Sequence, residues 1–269
     1  MIVPFVLLKL AQLLIVYFAP APFDTSTRIF LDDYTEDYAE LPASLKWFVS
    51  NVASKLVAWD AIYFLKLATE GPTFEHEYVF GPLWWRLLAS IPSANIFYKL
   101  LGGLLVSNVS HYLSCVVLYK LTRRYFDERT ARNSAYLAVI QPSGIFSTTI
   151  YAESITQLLC YTALLLRSYG RKSPRYFLSG ILIAIAFGFR SNCLLYGIVY
   201  LYDTVAGQSL PADPGNRNLP PPKPAQTAPD PAHVACIPRR PAYLHACPNH
   251  QPRHHVPANS PLVCGSYRK

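Results

Sequence analysis

Charge is scarce in this 269-residue chain. Asp, Glu, Lys and Arg make up only 15% of it, while 52% is hydrophobic; an ordinary soluble domain is about 25% charged. So thin a charged complement excludes a surface solvated on every side. The chain also lacks any C-x-x-C pair. Cys115, Cys160 and Cys193 sit inside apolar runs, and Cys236, Cys247 and Cys264 are spread along the C-terminal stretch. That spacing yields neither a disulfide framework nor a zinc site. No basic region precedes the first apolar run, and Pro20 and Pro22 stand where signal cleavage needs small residues. A retained first helix is therefore expected.

The net charge of +8 is unevenly placed. Residues 207–269 hold 14 of the 23 prolines, five of the seven histidines, and seven basic against two acidic residues. Residues 1–206 carry the apolar character and a nearly balanced charge.

About 20 apolar residues make one helical crossing of a bilayer. The sequence offers crossings at 2–19 and 97–119, a hairpin of two short helices over 134–166 bent between Pro142 and Glu153, and a crossing at 176–202. The expected fold is all-α, a multi-pass integral membrane protein. Basic clusters at Lys120–Arg132 and Arg167–Arg175 belong on the cytoplasmic side. The 20–95 segment has ten acidic and five basic residues and belongs on the opposite face. Within it, 45–69 has apolar residues at helical spacing and reads as one amphipathic helix on the membrane surface. Trp84-Trp85 reads as part of an interfacial aromatic belt.

This topology gathers Asp24, Asp60, Glu153 and Arg190 on one face. Ionisable groups near membrane helices are expensive and mark sites. A partly desolvated carboxylate can act as base toward a hydroxyl, and a guanidinium fork suits a phosphate. Together they could move a group from a lipid phosphate to an alcohol. Plainer roles stay open: Asp60 as a solvated polar-face residue, Glu153 as a helix cap, Arg190 snorkelling to the interface. His76 and His111 are lone histidines, with loop or packing roles expected.

Phe23-Asp24-Thr25-Ser26-Thr27, Trp59-Asp60-Ala61-Ile62-Tyr63-Phe64, Glu75-His76-Glu77 with Phe80-Gly81-Pro82, Tyr151-Ala152-Glu153-Ser154 and Phe189-Arg190-Ser191-Asn192 stand in this order. The order resembles that of the GPI mannosyltransferase II family over about residues 5–205. The resemblance implies a GT-C type glycosyltransferase of the endoplasmic reticulum membrane with a luminal active face. It would add the second mannose, α1,6-linked, to the glycosylphosphatidylinositol precursor from dolichol-phosphate-mannose. It also implies a small accessory membrane subunit. No cofactor beyond the lipid donor, no metal site and no nucleic-acid partner is expected from the sequence, which leaves metal dependence open. Carried over residue by residue, Asp60 is the catalytic carboxylate with Asp24 second. Trp59, Tyr151, Glu153, Arg190 and Asn192 are substrate-binding, with Arg190 on the donor phosphate.

Two departures stand out. Cys193 occupies a position where the family motif has glycine, and the family continues through further membrane helices where this chain changes composition near Ala206–Gly207. The Pro- and His-rich stretch 207–269 reads as a disordered tail, from a read-through intron or a shifted frame rather than evolved coding sequence. A Pro-rich partner-binding segment or a His/Cys metal tract are its weaker readings. The rival functions are an inactive truncated fragment of the enzyme and a small multi-pass transporter. The latter needs internal repeats that residues 1–206 do not show.

Overall fold

The computed structural model describes residues 1–20, 25–141 and 144–205. Asp24 and the tail expected from Gly207 lie outside them. The described residues are mostly helical and contain no strand. The helices are α1 (Ile2–Phe18), α2 (Ser26–Asp32), α3 (Thr35–Ala39), α4 (Ala43–Phe48), α5 (Asp60–Glu70), α6 (Pro82–Ala89), α7 (Ile96–Tyr125), α8 (Glu128–Val139), α9 (Glu153–Arg167), α10 (Pro174–Phe189) and α11 (Gly197–Val205).

The 30-residue α7 is the spine of the bundle and the one described helix long and apolar enough to cross a membrane; α1 and α10 are apolar but shorter. Asn95 starts α7 by accepting a hydrogen bond from the Phe97 amide. Its neighbours are fixed by a ladder of polar contacts. Ser107 donates to the Tyr151 carbonyl, Ser114 to Gln157, and Arg124 to the Ser168 carbonyl, so α9 runs parallel to α7. Contacts of His111 with the Ala138 carbonyl and of Tyr119 with Glu128 set α8 antiparallel to it. Phe5 packs edge-on against His111, and Lys9, buried in apolar α1, donates to Thr148 Oγ1 at 2.7 Å and to the Ser147 carbonyl at 3.3 Å. That buried ammonium fastens α1 to the bend between α8 and α9. The lone histidines take the expected loop and packing roles: His111 is buried, and His76 lies exposed in its turn, stacked on Phe74 with Tyr63 edge-on.

Three expectations are corrected. The stretch 176–202 is not one crossing. Helix α10 stops at Phe189, Arg190 is extended, a 3₁₀ turn covers Ser191–Tyr196, and α11 runs back. Asp203 near its end pairs with Arg167, accepts from Tyr176, and gives its carbonyl to Arg171. Tyr200 donates to Ser179. The two halves are thus a helical hairpin with Arg190 at its apex, because backing onto α10 lets the Asp203 carboxylate reach cations that a continued helix would carry away from it.

The stretch 45–69 is also broken. Helix α4 passes into a π turn at Val49–Ala53 and a 3₁₀ turn at Ser54–Leu56, and α5 starts afresh at Asp60. Val49, Val52, Ala53, Leu56, Val57, Ala61, Phe64 and Leu65 are buried in the main core. Two apolar faces on either side of a kink find partners inside the protein, so this segment is core rather than a helix on a surface. Lys55 of the same segment donates to the carbonyls of Val16, Tyr17 and Ala19, satisfying the exposed end of α1.

Trp84, expected in an aromatic belt, is fully buried, and its Nε1 donates to the Ile150 carbonyl at 2.8 Å. Beside it, α6 begins at Gly81-Pro82 against the end of α10. A Cβ on Gly81 would overlap the Phe189 carbonyl, so the close approach requires glycine. Replacing Gly81 with alanine is expected to destabilise the fold by about 1–3 kcal/mol, the usual range for overpacking. Thermal unfolding in detergent, followed by tryptophan fluorescence, measures it.

Candidate functional site

The bend between α8 and α9, the start of α9, the apex of the α10–α11 hairpin and the start of α5 meet at one end of the bundle. Glu153 is the first residue of α9 and Arg190 directly follows α10. Because α9 and α10 are antiparallel, their ends coincide, and Arg190 Nη1 forms an ion pair with Glu153 Oε1. Each side chain is about one-third exposed. Glu153 thus does more than favour a helix N-terminus. Its second oxygen, Oε2, is buried and has no hydrogen-bond partner among the described residues.

The ion pair sits between two clefts. One, of about 370 Å³, is lined by Trp59, Asp60, Phe146, Tyr151 and Glu153. The other, of about 350 Å³, is lined by Gln141, Glu153, Gln157, Arg190, Asn192 and Cys193 among others. Glu153 belongs to both. Six of the seven residues expected from sequence, Trp59, Asp60, Tyr151, Glu153, Arg190 and Asn192, line these two adjoining clefts.

Trp59 has φ +52°, the only positive φ outside glycine among the described residues. For a bulky side chain this is a strained backbone, of a kind that clusters at functional sites and costs about 1–3 kcal/mol. Its indole is exposed and lies over Phe146, ring centroids 5.9 Å apart. The kink frees the start of α5, so Asp60 enters the cleft from a helix N-terminus, where a carboxylate is favoured.

Two of these side chains are already engaged within the protein. Tyr151 is buried, and its hydroxyl donates to the Ala58 carbonyl at 2.9 Å. It holds the backbone just before the Trp59 kink instead of offering a free donor to a ligand. Arg190 already spends part of its fork on Glu153, so any phosphate there shares the guanidinium with a carboxylate. Thr25, next to Asp24, lines a separate, largely apolar cavity of about 460 Å³ with Arg28, Tyr38 and Lys55. Thr27 donates to the Val57 carbonyl, which ties the start of α2 to the same kink. Among the described residues no three His, Cys, Asp or Glu side chains stand close enough to share a metal ion.

Residues 1–207 match the family model for mannosyltransferase (PIG-V). The chain belongs to that family. GPI mannosyltransferase 2 of Candida albicans is 33% identical to it, over 74% of this chain and 54% of the relative. The Saccharomyces cerevisiae protein of the same name is 31% identical over 75% and 53%, and that of Yarrowia lipolytica 31% over 76% and 51%. The chain therefore spans about half the length of the curated relatives it matches. No solved structure matches it.

Sequence reasoning on this family member placed Glu77 in a motif but gave it no role. Its carboxylate is buried, accepts from Lys66 at 2.6 Å, and receives the Thr73 and Phe74 amides at 2.7 and 2.9 Å. It closes the loop between α5 and the 3₁₀ turn Glu75–Val79, which leads into Phe80-Gly81. The Lys66 hydrogen bond first, then the Phe74 amide, hold its carboxyl down at about 2. The signal was the Glu three residues after Phe74 at a helix start. Because the folded value is depressed, the stabilisation is complete above pH about 4.5, the unfolded range, and is lost as pH falls toward 2. Protection of the Thr73 and Phe74 amides, measured relative to their intrinsic exchange at each pH, should fall as pH drops across that window, and Glu77→Gln should leave that protection low throughout it.

Proposed function

We propose that the chain is a multi-pass mannosyltransferase of glycosylphosphatidylinositol anchor biosynthesis in the endoplasmic reticulum membrane, with a GT-C-like architecture and its Asp60 end luminal. The reaction is transfer of the second mannose, α1,6-linked, from dolichol-phosphate-mannose to the lipid-linked precursor, in company with a small accessory membrane subunit. What carries this reading is the Glu153–Arg190 pair set beside the Asp60 cleft in a chain of this family. The short helices α1 and α10, at 17 and 16 residues, cover about 24–26 Å, close to one hydrocarbon core of about 30 Å. The clusters around Lys120–Arg132 and Arg167–Arg175 lie at the opposite end of the bundle, as a luminal site and basic cytoplasmic loops require.

The chemistry follows from the placement. The acceptor hydroxyl attacks the anomeric carbon of mannose, Asp60 takes the hydroxyl proton, and the bond from that carbon to the phosphate oxygen breaks. Dolichyl phosphate leaves with the electron pair, and Arg190, with Asn192 beside it, meets the charge that stays on the phosphate. Trp59 supplies an exposed ring at the mouth for a sugar face. Glu153 keeps the guanidinium in place.

The second reading, an inactive fragment, draws on the chain's match to about half of its relatives' length. Microsomes from yeast depleted of the resident GPI mannosyltransferase 2, and carrying this chain instead, are supplied with radiolabelled dolichol-phosphate-mannose. Appearance of the two-mannose precursor is the expected result. Persistence of the one-mannose precursor, with a full-length relative restoring it, establishes the fragment reading.

A further inference from the structure

Cys160 and Cys193 come from different elements, the middle of α9 and the 3₁₀ turn after Arg190, and their Sγ atoms lie 3.7 Å apart. Both are free thiols. They share a small apolar cluster with Ala163, Ile183 and Ala186, yet both also line the cleft that holds Glu153 and Arg190. Both residues are buried, but they border that cleft and their sulfurs are already almost in contact. Bond formation needs the sulfurs to close from 3.7 Å to about 2.05 Å. Cys115, the third buried thiol, packs elsewhere, with Phe5 and Val139.

We propose that Cys160 and Cys193 form a thiol–disulfide exchange site that reacts with a low-molecular-weight disulfide such as oxidised glutathione. The exchange closes them into an intramolecular disulfide that fastens the Ser191–Tyr196 turn to α9. One cysteine thiolate, Cys193 being the slightly more exposed, attacks a sulfur of the reagent, and one glutathione thiolate leaves. The Cys160 thiolate then attacks the Cys193 sulfur of the mixed disulfide, and the second glutathione thiolate leaves. The two cysteines lose two electrons and two protons; the electrons reduce the reagent's S–S bond and the protons end on the two released thiols. The product cross-links positions 33 residues apart in sequence, just beyond Arg190. This site does not depend on the mannosyltransferase reading.

The test uses the full chain purified in detergent. After incubation with oxidised glutathione and acid quenching, the chain is alkylated with N-ethylmaleimide in denaturant, digested and mapped by mass spectrometry. The expected result is a Cys160–Cys193-linked peptide, loss of alkylation at both positions, and unchanged alkylation of Cys115. Reduction should reverse it, and C160S or C193S should each remove the linked peptide. Full alkylation of both cysteines after prolonged oxidant exposure would overturn the proposal. So would linkage of either one to Cys236, Cys247 or Cys264, or glutathione retained as a stable mixed disulfide. The unsubstituted chain decides between these outcomes by itself, so the test stands even where a serine substitution fails to fold.

Discussion

Trp84→Ala is expected to destabilise the protein by about 3–5 kcal/mol, the range for deleting a large buried aromatic. The indole is fully buried, between Leu88 and the end of α10, with the Phe189 ring 6.4 Å away. Its size is only part of the effect. Nε1 is the partner of the Ile150 carbonyl, and Ile150 is the residue before Tyr151 in the bend that carries Glu153. Trp84→Phe keeps most of the aromatic volume but leaves that carbonyl unpaired, and should cost about 1–3 kcal/mol. Trp85→Ala, next door, removes a partly exposed ring that lies against Arg86 and should have the smallest effect. Thermal and denaturant unfolding in detergent give the three values. Equal losses for Trp84→Ala and Trp85→Ala would show that the bend does not hang on this bond.

Much of the bundle was legible because it follows from one rule, that long apolar runs become helices and prolines break them. The spine α7 is the longest clean run. A break in the apolar run before Glu153 was expected from the proline in Gln141-Pro142-Ser143-Gly144, since proline cannot continue a helix. Placing Glu153 and Arg190 on one face was legible, but their ion pair was not.

What was not legible depends on partners far away in sequence. The run 176–202 has 27 residues, and as one helix would be about 40 Å long, more than one hydrocarbon core. That excess, together with the polar Arg190-Ser191-Asn192 at its centre, was the available signal for a hairpin. The force that folds α11 back, Asp203 on Arg167 and Tyr176, is tertiary. Likewise nothing local requires the positive φ of Trp59. The kink exists because Tyr151 and Thr27 hold the carbonyls of Ala58 and Val57, from 93 and 30 residues away. The helical spacing of 45–69 does mark apolar faces, but periodicity cannot say whether such a face meets lipid or protein. Trp84 misled for the same reason.

Asp60→Asn should lower mannosyl transfer by about 10²–10⁴-fold, the usual contribution of a positioned general base. The change is nearly isosteric, and at a helix start asparagine replaces aspartate with a loss of only about 0.3–1 kcal/mol of dipole interaction. Unfolding therefore does not account for a fall of that size. The loss should appear in kcat, with the KM for the lipid donor little altered, because Asp60 lines the other cleft from Arg190 and Asn192, the residues assigned to the phosphate. Arg190→Lys should show the reverse emphasis. Lysine keeps the charge but not the fork that holds Glu153 and a phosphate oxygen together, so donor KM should rise. Arg190→Ala should also leave the half-buried Glu153 carboxylate without its cation, with a stability loss that Arg190→Lys does not share. Transfer of radiolabelled mannose in microsomes, run at varied donor concentration, separates these outcomes. Turnover of Asp60→Asn at the unmodified rate would remove it from proton transfer. The base would then be sought at Glu153, which lines the same cleft and whose buried Oε2 has no hydrogen-bond partner among the described residues.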